Sequence, residues 1–568
     1  MADDTRYCEL GDPSELDGYA TLAVDTETDS TNAHTARLVG VSFCGERGRA
    51  FWLPADRFDA VAIGRALRGK RLVFHHAKYD VTVLERHGLP LAGEDVFDTM
   101  LAAHLLDENR PKGLKRLARD LLGEDPVEYA DLSDQLSLFE ATPELAEYAC
   151  ADADYTFRLY EMFRPELDAT PTLARLYDEY ELPTMWVVQR MERAGIRVDT
   201  DHLSVVGDRY RARLAELAES IHGHAGGPFQ ITSPVALSGF LYGRLGLPAG
   251  RETRSGRPSV NHAALDAIRH AHPVVPLLIE HRELTTLLTA YVGKLPGLVN
   301  VETGRIHCNM NQVGTITGRM SSNDPNLQSI PRDADIRSAF VAGDGHVLID
   351  ADFSQIELRC AAHYSRDPRM LDAFRADLDL HRQTIADIIG KPIDEVTDDE
   401  RNLAKAVNFG LIYGMGAPRL ASSTGLSLHQ AQSFMSAYFR TYSNIKGFRE
   451  EVLEYAATHG QVINMYGRRR RFPGGPNRAA FNSLIQSTAA DICRDKMIAL
   501  DRGLPAEVRM LLQVHDEILF EAPAERATEA AALIREIMES PIYDAKGREF
   551  RAPIRVDVGV GPNWGSAK

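Results

Sequence analysis

The stretch TLAVDTET places Asp25 and Glu27 two residues apart at the end of an apolar run. In a strand that spacing turns both carboxylates to one face, where they repel each other unless a cation lies between them. Two further acids follow in the same part of the chain: Asp80, in FHHAKYDVTVL, and Asp152, in YACADAD, four residues after Tyr148. Gathered by a fold, the four would form an all-oxygen site suited to two Mg²⁺ or Mn²⁺ ions and to in-line attack on a phosphodiester. Taken singly, each reads more readily as a strand end, a helix salt-bridge partner or a cap, and only the combination points to a site.

A second set of residues lies in the C-terminal half. HVLIDADFSQIELR turns from strand to helix near Asp352, and LLQVHDEILFEA reads as a tight hairpin with His515 and Asp516 at its tip. Two strands that each end in an acid can bring Asp352 and Asp516 side by side, where two metals would activate a hydroxyl and stabilise a departing pyrophosphate. Asp350 competes with Asp352 by period two, and spacing does not choose between them.

Two helical stripes accompany these acids. DERNLAKAVNFGLIYG reads as a helix up to Gly414, on which Arg401, Lys405, Phe409 and Tyr413 recur every four residues along one slowly drifting face. Two cations followed by two aromatics can hold phosphates at one end and stack on a sugar or base at the other. The alternative is an amphipathic surface helix with its aromatics in the core. In RAAFNSLIQSTAAD, Arg478, Asn482 and Gln486 repeat the spacing of four with hydrogen-bonding side chains. Such groups can reach minor-groove acceptors, which look alike for every base pair.

The elements that must position these residues fall into blocks. From Tyr19 to about Tyr160 the chain alternates β-branched strands (TLAVDTET, ARLVGVSFC) with helical runs (DTMLAAHLL, LKRLARDLL), an α/β unit. Between about Pro165 and Leu295 it becomes helical and charged, interrupted by the basic loop GLPAGRETRSGRPS. Beyond Asn300 short strands alternate with long helices. A length of 568 residues implies several structural units, and 44% hydrophobic with 26% charged residues is ordinary globular usage.

The formal charge of −17 rules out a uniformly basic coat for nucleic acid, so any DNA contact must use local patches; the run Arg468 to Arg471 reads on its own as a solvated face, and in the context of the motifs below as a phosphate-backbone contact. Six scattered cysteines form no CxxC pair and no zinc-type cluster, which fits a reducing cytosol. The N-terminus lacks a signal-peptide pattern and no stretch is apolar enough to span a bilayer, so a cytoplasmic location is expected.

DTET, HxxxD and YxxxD, in this order from Thr21 to Tyr160, together resemble the proofreading 3′–5′ exonuclease domain of family A DNA polymerases. TGRMSSNDPNLQSIP, DFSQIELR, RNLAKAVNFGLIYG, GRRRRFP, RAAFNSLIQSTAAD, VHDE and the terminal GVGPNW extend that resemblance over nearly the whole chain. The resemblance implies an α/β and α+β multidomain fold. A ribonuclease H-like exonuclease domain over residues 1–165 would precede a right-hand polymerase domain over 166–568. Within the latter, the thumb is expected at about 181–295, the palm at about 300–371 and 471–568, and the fingers at about 372–470.

By the same resemblance, Asp25, Glu27, Asp80 and Asp152 would bind two metals while Tyr148 orients the attacking water. Asp352 and Asp516 would be the polymerase metal ligands, supported by Glu517. Arg401, Lys405 and His381 would hold the incoming triphosphate, with Lys405 also protonating pyrophosphate. Phe409 would pack on the sugar, Tyr413 would border the nascent pair, and Glu357 would exclude a 2′-hydroxyl. Arg319, Arg478, Asn482, Gln486 and Gln513 would monitor the minor groove, and His515 would sit near the primer end.

Two positions depart from the family pattern: His76 stands where Asn is usual, and Phe353 where Tyr is usual. The implied activity is template-directed synthesis from dNTPs with proofreading. It would act as a monomer on primer–template DNA and on single-stranded 3′ ends, in a bacterial cytoplasm or a phage-infected cell. The motifs begin by Asp25, which leaves no room for the 5′-nuclease domain of larger members, so a compact, bacteriophage-like form is expected. A single-subunit RNA polymerase is the nearest rival and is disfavoured by SQIE together with VHDE. A catalytically dead DNA-binding scaffold would have no need of six acids.

Overall fold

The computed structural model describes residues 6–128, 142–250, 252–253, 256–475 and 479–568. The N-terminal unit is built on a mixed sheet of β1 (Arg6–Glu9), β2 (Thr21–Thr28), β3 (Leu38–Glu46), β4 (Arg49–Pro54), β5 (Arg71–Phe74) and β6 (Asp95–Asp98). Their order is β1-β4-β3-β2-β5-β6, with β2 antiparallel to β3 and parallel to β5. Leu22, Ala23 and Val24 are buried in succession, as a central strand covered on both faces requires. The chain turns polar at Asp25, where the strand leaves that cover. Helices α1 (Ala77–Arg86) and α2 (Pro143–Asp168) pack on this sheet, α2 crossing β2, β3 and β4. The expected helices appear at Thr99–Leu106 and from Leu114 to Leu122.

Helices α3 (Leu182–Ala194), α4 (Thr200–Ala225) and α5 (Val274–Leu287) follow. The C-terminal sheet consists of β7 (His346–Phe353), β8 (Arg509–Val514), β9 (Glu517–Pro523) and β10 (Val556–Gly561), in the antiparallel order β8-β9-β7-β10. Around it stand α6 (Ile356–Ser365), α7 (Leu380–Ile389), α8 (Asp398–Ile412) and α9 (Ala479–Gly503). A capping box between Thr397 and Glu400, with Asp398 and Asp399 in the first turn, starts α8 where its dipole favours negative charge.

One continuous core runs through both sheets, while α4 and α5 share a smaller one built on Leu217, Ile221, Leu241, Leu265, Val274 and Leu278. The helical span expected to form one unit from residue 181 is therefore divided. Helix α3 buries Met185, Val187, Val188 and Met191 in the main core against β8 and α9, and the separate core begins within α4. The N-terminal unit is tied to the rest by a buried ion pair between Lys78 and Glu192. The Lys78 ammonium also donates to Asn309 Oδ1 at 2.8 Å and to the Met310 carbonyl at 2.7 Å. Among the described residues no helix is long and apolar enough to cross a membrane.

Candidate active sites

In the N-terminal unit Asp25, Glu27 and Asp152 offer carboxylate oxygens that all lie within 4.8 Å of one another. The first two come from the end of β2, and Asp152 comes from α2, one turn beyond Tyr148. Burial, and then the Asp152 charge, pushes Asp25 up to about 7. Burial, Asp25 and Asp152 drive Glu27 well above the usual carboxylate range, and burial lifts Asp152 to about 6 against the pull of Lys115. Crowded acids of this kind are short of positive charge, and an all-oxygen donor set fits a hard divalent cation. Among the described residues one cation reaches them: the Lys115 ammonium pairs with Asp152 and lies 3.7 Å from the centre of the Tyr148 ring. A cavity of about 760 Å³, lined by Lys115, Tyr148, Tyr155 and Arg158, opens alongside.

Asp80 is buried next to this cluster but turned aside. Its Oδ1 accepts from the Thr26 amide at 3.2 Å and from the Thr26 hydroxyl at 2.6 Å. Burial and the Asp25 charge raise its pKa well above the ordinary value, so it belongs electrostatically to the set without being gathered into it. His76 caps α1 from the left-handed region, at φ 74° and ψ 51°. The turn there is held by Asp98, which accepts from the amides of His76 (3.3 Å) and Ala77 (2.8 Å) at one helix start and of Met100 (2.8 Å) and Leu101 (3.2 Å) at the next.

The C-terminal sheet carries the second site. Asp352 lies opposite Glu517 in the β7–β9 register and opposite Asp557 in the β7–β10 register. Asp516 stands beside them in the two-residue connection between β8 and β9, where the Phe353 amide donates to its carbonyl at 3.0 Å. The other connection residue, His515, adopts φ 59°, a left-handed conformation that costs a non-glycine residue about 1 kcal/mol and persists where the surroundings fix it. Burial, followed by the Asp516 charge, pushes Asp352 up to about 6. Glu517 is buried too, but Lys568 and Arg337 hold its carboxyl below the usual range.

Asp352, Asp516 and Glu517 border a cavity of about 900 Å³ whose walls also include Arg319, Glu357, His381, Arg401, Lys405, Phe409, Tyr413, Gln486 and His515. The α8 stripe thus faces the acids across open space. Phe409 and Tyr413 stack with centroids 6.3 Å apart, and His381 lies 5.8 Å from Phe409. Burial holds the His381 imidazole down to about 4, and Asn408 Nδ2 lies 2.9 Å from its Nδ1. Asp352, not Asp350, meets the cavity. Asp350 is 3% exposed with no hydrogen bond to either carboxylate oxygen, and burial and Glu517 push it up to about 8.

Residues 200–566 match the family model described as DNA polymerase family A. The chain belongs to this family. Residues 13–168 match the model described as 3′-5′ exonuclease, so the polymerase carries an exonuclease domain ahead of its polymerase domain. Among curated relatives, DNA polymerase I of Pseudomonas aeruginosa is 36% identical over 97% of this chain and 64% of its own length. DNA polymerase I of Deinococcus radiodurans is 41% identical over 78% of this chain and 48% of its own. The chain therefore spans at most about two thirds of these relatives. A solved structure, the POL domain of Pol1 from M. smegmatis in complex with DNA primer-template and dNTP, superposes with a TM-score of 0.88 at 30% identity. That match covers 99% of this chain and 100% of that one.

Several sequence expectations for the polymerase need correction or qualification. The run Arg468 to Arg471 is not a free phosphate-binding strip. Arg468 is buried against Glu181 and Asp491, with its Nε 3.0 Å from Asp491 Oδ1. Arg470 and Arg471 hold the buried Glu108 of the exonuclease domain at 3.1 and 2.6 Å. Guanidinium groups satisfied by buried carboxylates cannot leave them without stranding a charge. Only Arg469 of the four makes no ion pair among the described residues.

Arg401 lines the cavity but its Nε donates to Asp379 at 2.6 Å, and Arg319 is paired with Glu357. Gln513 is buried and turned toward the hairpin, where it donates to the His515 carbonyl and accepts from Gln328 at 3.1 Å. Asn482 lies one turn before Gln486 on α9 without meeting the main cavity, and Arg478 lies outside the described residues. Sequence reasoning missed Lys115, Asp557 and Lys568. Lys115 sits inside the quoted helix LKRLARDLL, and Asp557 and Lys568 flank GVGPNW. A cation beside an acid cluster has no signature until the fold closes.

Proposed function

We propose that this chain extends a primer 3′-hydroxyl from dNTPs on a DNA template and removes nucleotides from 3′ ends at a second site. The observation carrying this reading is the cavity in which Asp352 and Asp516 face Arg401, Lys405 and Phe409 across open space. Acids on one wall and cations on the other match the two ends of a nucleotidyl transfer, with metal ligands at the attacked phosphorus and positive charge at the leaving phosphates. Asp352 and Asp516 would hold two Mg²⁺ ions, which when bound lower the pKa of the attacking hydroxyl and bear charge developing on the phosphate oxygens. Lys405, exposed to the cavity, would bind the triphosphate and protonate the departing pyrophosphate, with Arg401 and His381 beside it. Phe409 would pack on the sugar, Tyr413 would border the new pair, and Glu357 would exclude a 2′-hydroxyl.

In the exonuclease domain Asp25, Glu27 and Asp152 would carry two further Mg²⁺ ions, with Asp80 close behind. Tyr148 would orient water toward a strand end lying in the adjacent cavity. Arg319, Asn482, Gln486 and Gln513, with Arg478, are the proposed minor-groove contacts, and His515 the contact near the primer end. We place the thumb from Thr200 to about 295, since α3 shares the main core. The palm then occupies about 300–371 and 471–568, with the fingers between. That the M. smegmatis protein was solved with primer-template and dNTP supports these substrates here.

The test is a 5′-labelled primer–template with Mg²⁺, followed with and without dNTPs. Extension with nucleotides and shortening without them is the expected result. Neither activity, with DNA binding intact, would overturn it.

A further inference from the structure

The catalytic acids of the polymerase domain have a cation of their own. Lys568 Nζ lies 2.6 Å from Glu517 Oε2 and 3.9 Å from both Asp350 Oδ2 and Asp352 Oδ2. The tail that brings it there is firmly seated. Trp564 is fully buried, its Nε1 donates to Glu517 Oε1 at 2.5 Å, and the Arg337 guanidinium stacks on its ring at 4.2 Å. Arg337 reaches the same Oε1 at 3.2 Å. Trp564 and Arg337 thus share Oε1, and Lys568 is the partner of Oε2 at the edge of the cavity that Glu517 lines. The Asp352 carboxylate, by contrast, is 31% exposed and has the Lys568 ammonium as its only ion-pair partner among the described residues. Asp350, buried with both oxygens free of hydrogen bonds, has the same ammonium as its only ion-pair partner among the described residues.

We propose that Lys568 is a positioning residue of the polymerase site: its ammonium holds Glu517 out of the metal-ligand set and acts as a resident counter-ion that keeps divalent metal off Asp352 until nucleotide arrives. The proposal rests on the reading of Asp352 and Asp516 as metal ligands. A positive charge about 4 Å from a ligand oxygen repels a divalent ion bound there. Phosphate oxygens from an incoming nucleotide would offset that opposition, so metal and nucleotide load together.

The experiment is a Mn²⁺ titration followed by electron paramagnetic resonance on the full chain carrying Asp25→Ala and Glu27→Ala, so that the exonuclease acids no longer compete. Without nucleotide, Lys568→Met should tighten Mn²⁺ binding by about tenfold or more. Lys568→Arg, which keeps the charge, should stay within about twofold of its parent. Lys568→Gln provides a second neutral variant should the methionine variant fold poorly. Unchanged or weaker binding in a folded neutral variant would overturn the proposal, as would equal tightening by the arginine variant. Asp352→Ala in the same background separates the two levels. If it leaves Mn²⁺ binding untouched, the metal reading fails and takes this inference with it. If it removes binding while the lysine variants have no effect, only the inference fails.

Discussion

The two acid sites use the same chemistry in different surroundings. In the exonuclease domain three carboxylates crowd within 4.8 Å, and the cation among them, Lys115, comes from a neighbouring helix. At the C-terminal sheet Asp352 and Asp516 sit at a strand end and a hairpin tip, and Arg401, Lys405 and His381 line the same cavity of about 900 Å³. A hydrolase needs only metals, water and a strand end, so its acids can close in on one another. A transferase must also receive a triphosphate, and on the proposed reading the space between acid wall and cation wall is where that substrate would lie. What separates the two functions is what faces the acids rather than the acids themselves.

That contrast breaks most sharply at the acids. Asp352→Ala should lower primer extension by roughly 10³-fold or more while leaving 3′ shortening in place, and Asp25→Ala should do the reverse. A single labelled primer read with and without dNTPs checks both. Loss of both activities from either change would mean that the sites are not independent. A smaller effect is expected at the cation wall. Lys405→Ala should lower kcat for incorporation by about 10²-fold, the usual contribution of a placed general acid. Single-turnover extension would measure it, and the exonuclease rate serves as the internal control. An unchanged incorporation rate would remove Lys405 from the chemistry.

How much of this was legible beforehand differs between the two sites. Asp25 and Glu27 are legible because period two on a strand fixes their common face, and the α8 stripe because spacing of four does the same on a helix. The hairpin at His515 and Asp516 was legible from two apolar runs around two polar residues. The choice between Asp350 and Asp352 was not, because period two gives them the same side, and only the sheet's cover decides which one meets solvent. For Asp80 the position could be read, but its bond to Thr26 could not, because it depends on a tertiary contact. The arginine run failed for a related reason. Charge patterning cannot show that Glu108, Glu181 and Asp491 are waiting inside the fold.

The arginine correction gives the next prediction. If Arg471 is a tie between domains, Arg471→Ala should cost about 1.5 kcal/mol of stability, because the buried Glu108 loses one of its two guanidinium partners and keeps Arg470. The salt dependence of primer–template binding should not change, whereas removing a phosphate contact would flatten its slope by about one. Denaturant melts and binding at several ionic strengths measure the two quantities separately. A flatter slope with unchanged stability would restore the DNA-contact reading.

The smallest effect concerns His76, where the exonuclease domain departs from its family. The residue caps α1 at φ 74°, a region in which asparagine is the most tolerated side chain after glycine. Its ring makes no hydrogen bond among the described residues and only a 6.4 Å stacking contact with Tyr79, so little is lost when it is replaced. The hydrogen bonds that hold the turn come from backbone amides to Asp98 and do not depend on the side chain at 76. His76→Asn should therefore stabilise the start of α1 by about 0.5 kcal/mol. That difference should appear as roughly twofold slower amide exchange at Ala77 to Asp80, with no change in primer extension. Faster exchange would mean that the imidazole contributes a contact worth more than the backbone strain it carries. The histidine would then be an adaptation of this exonuclease site rather than a tolerated substitution.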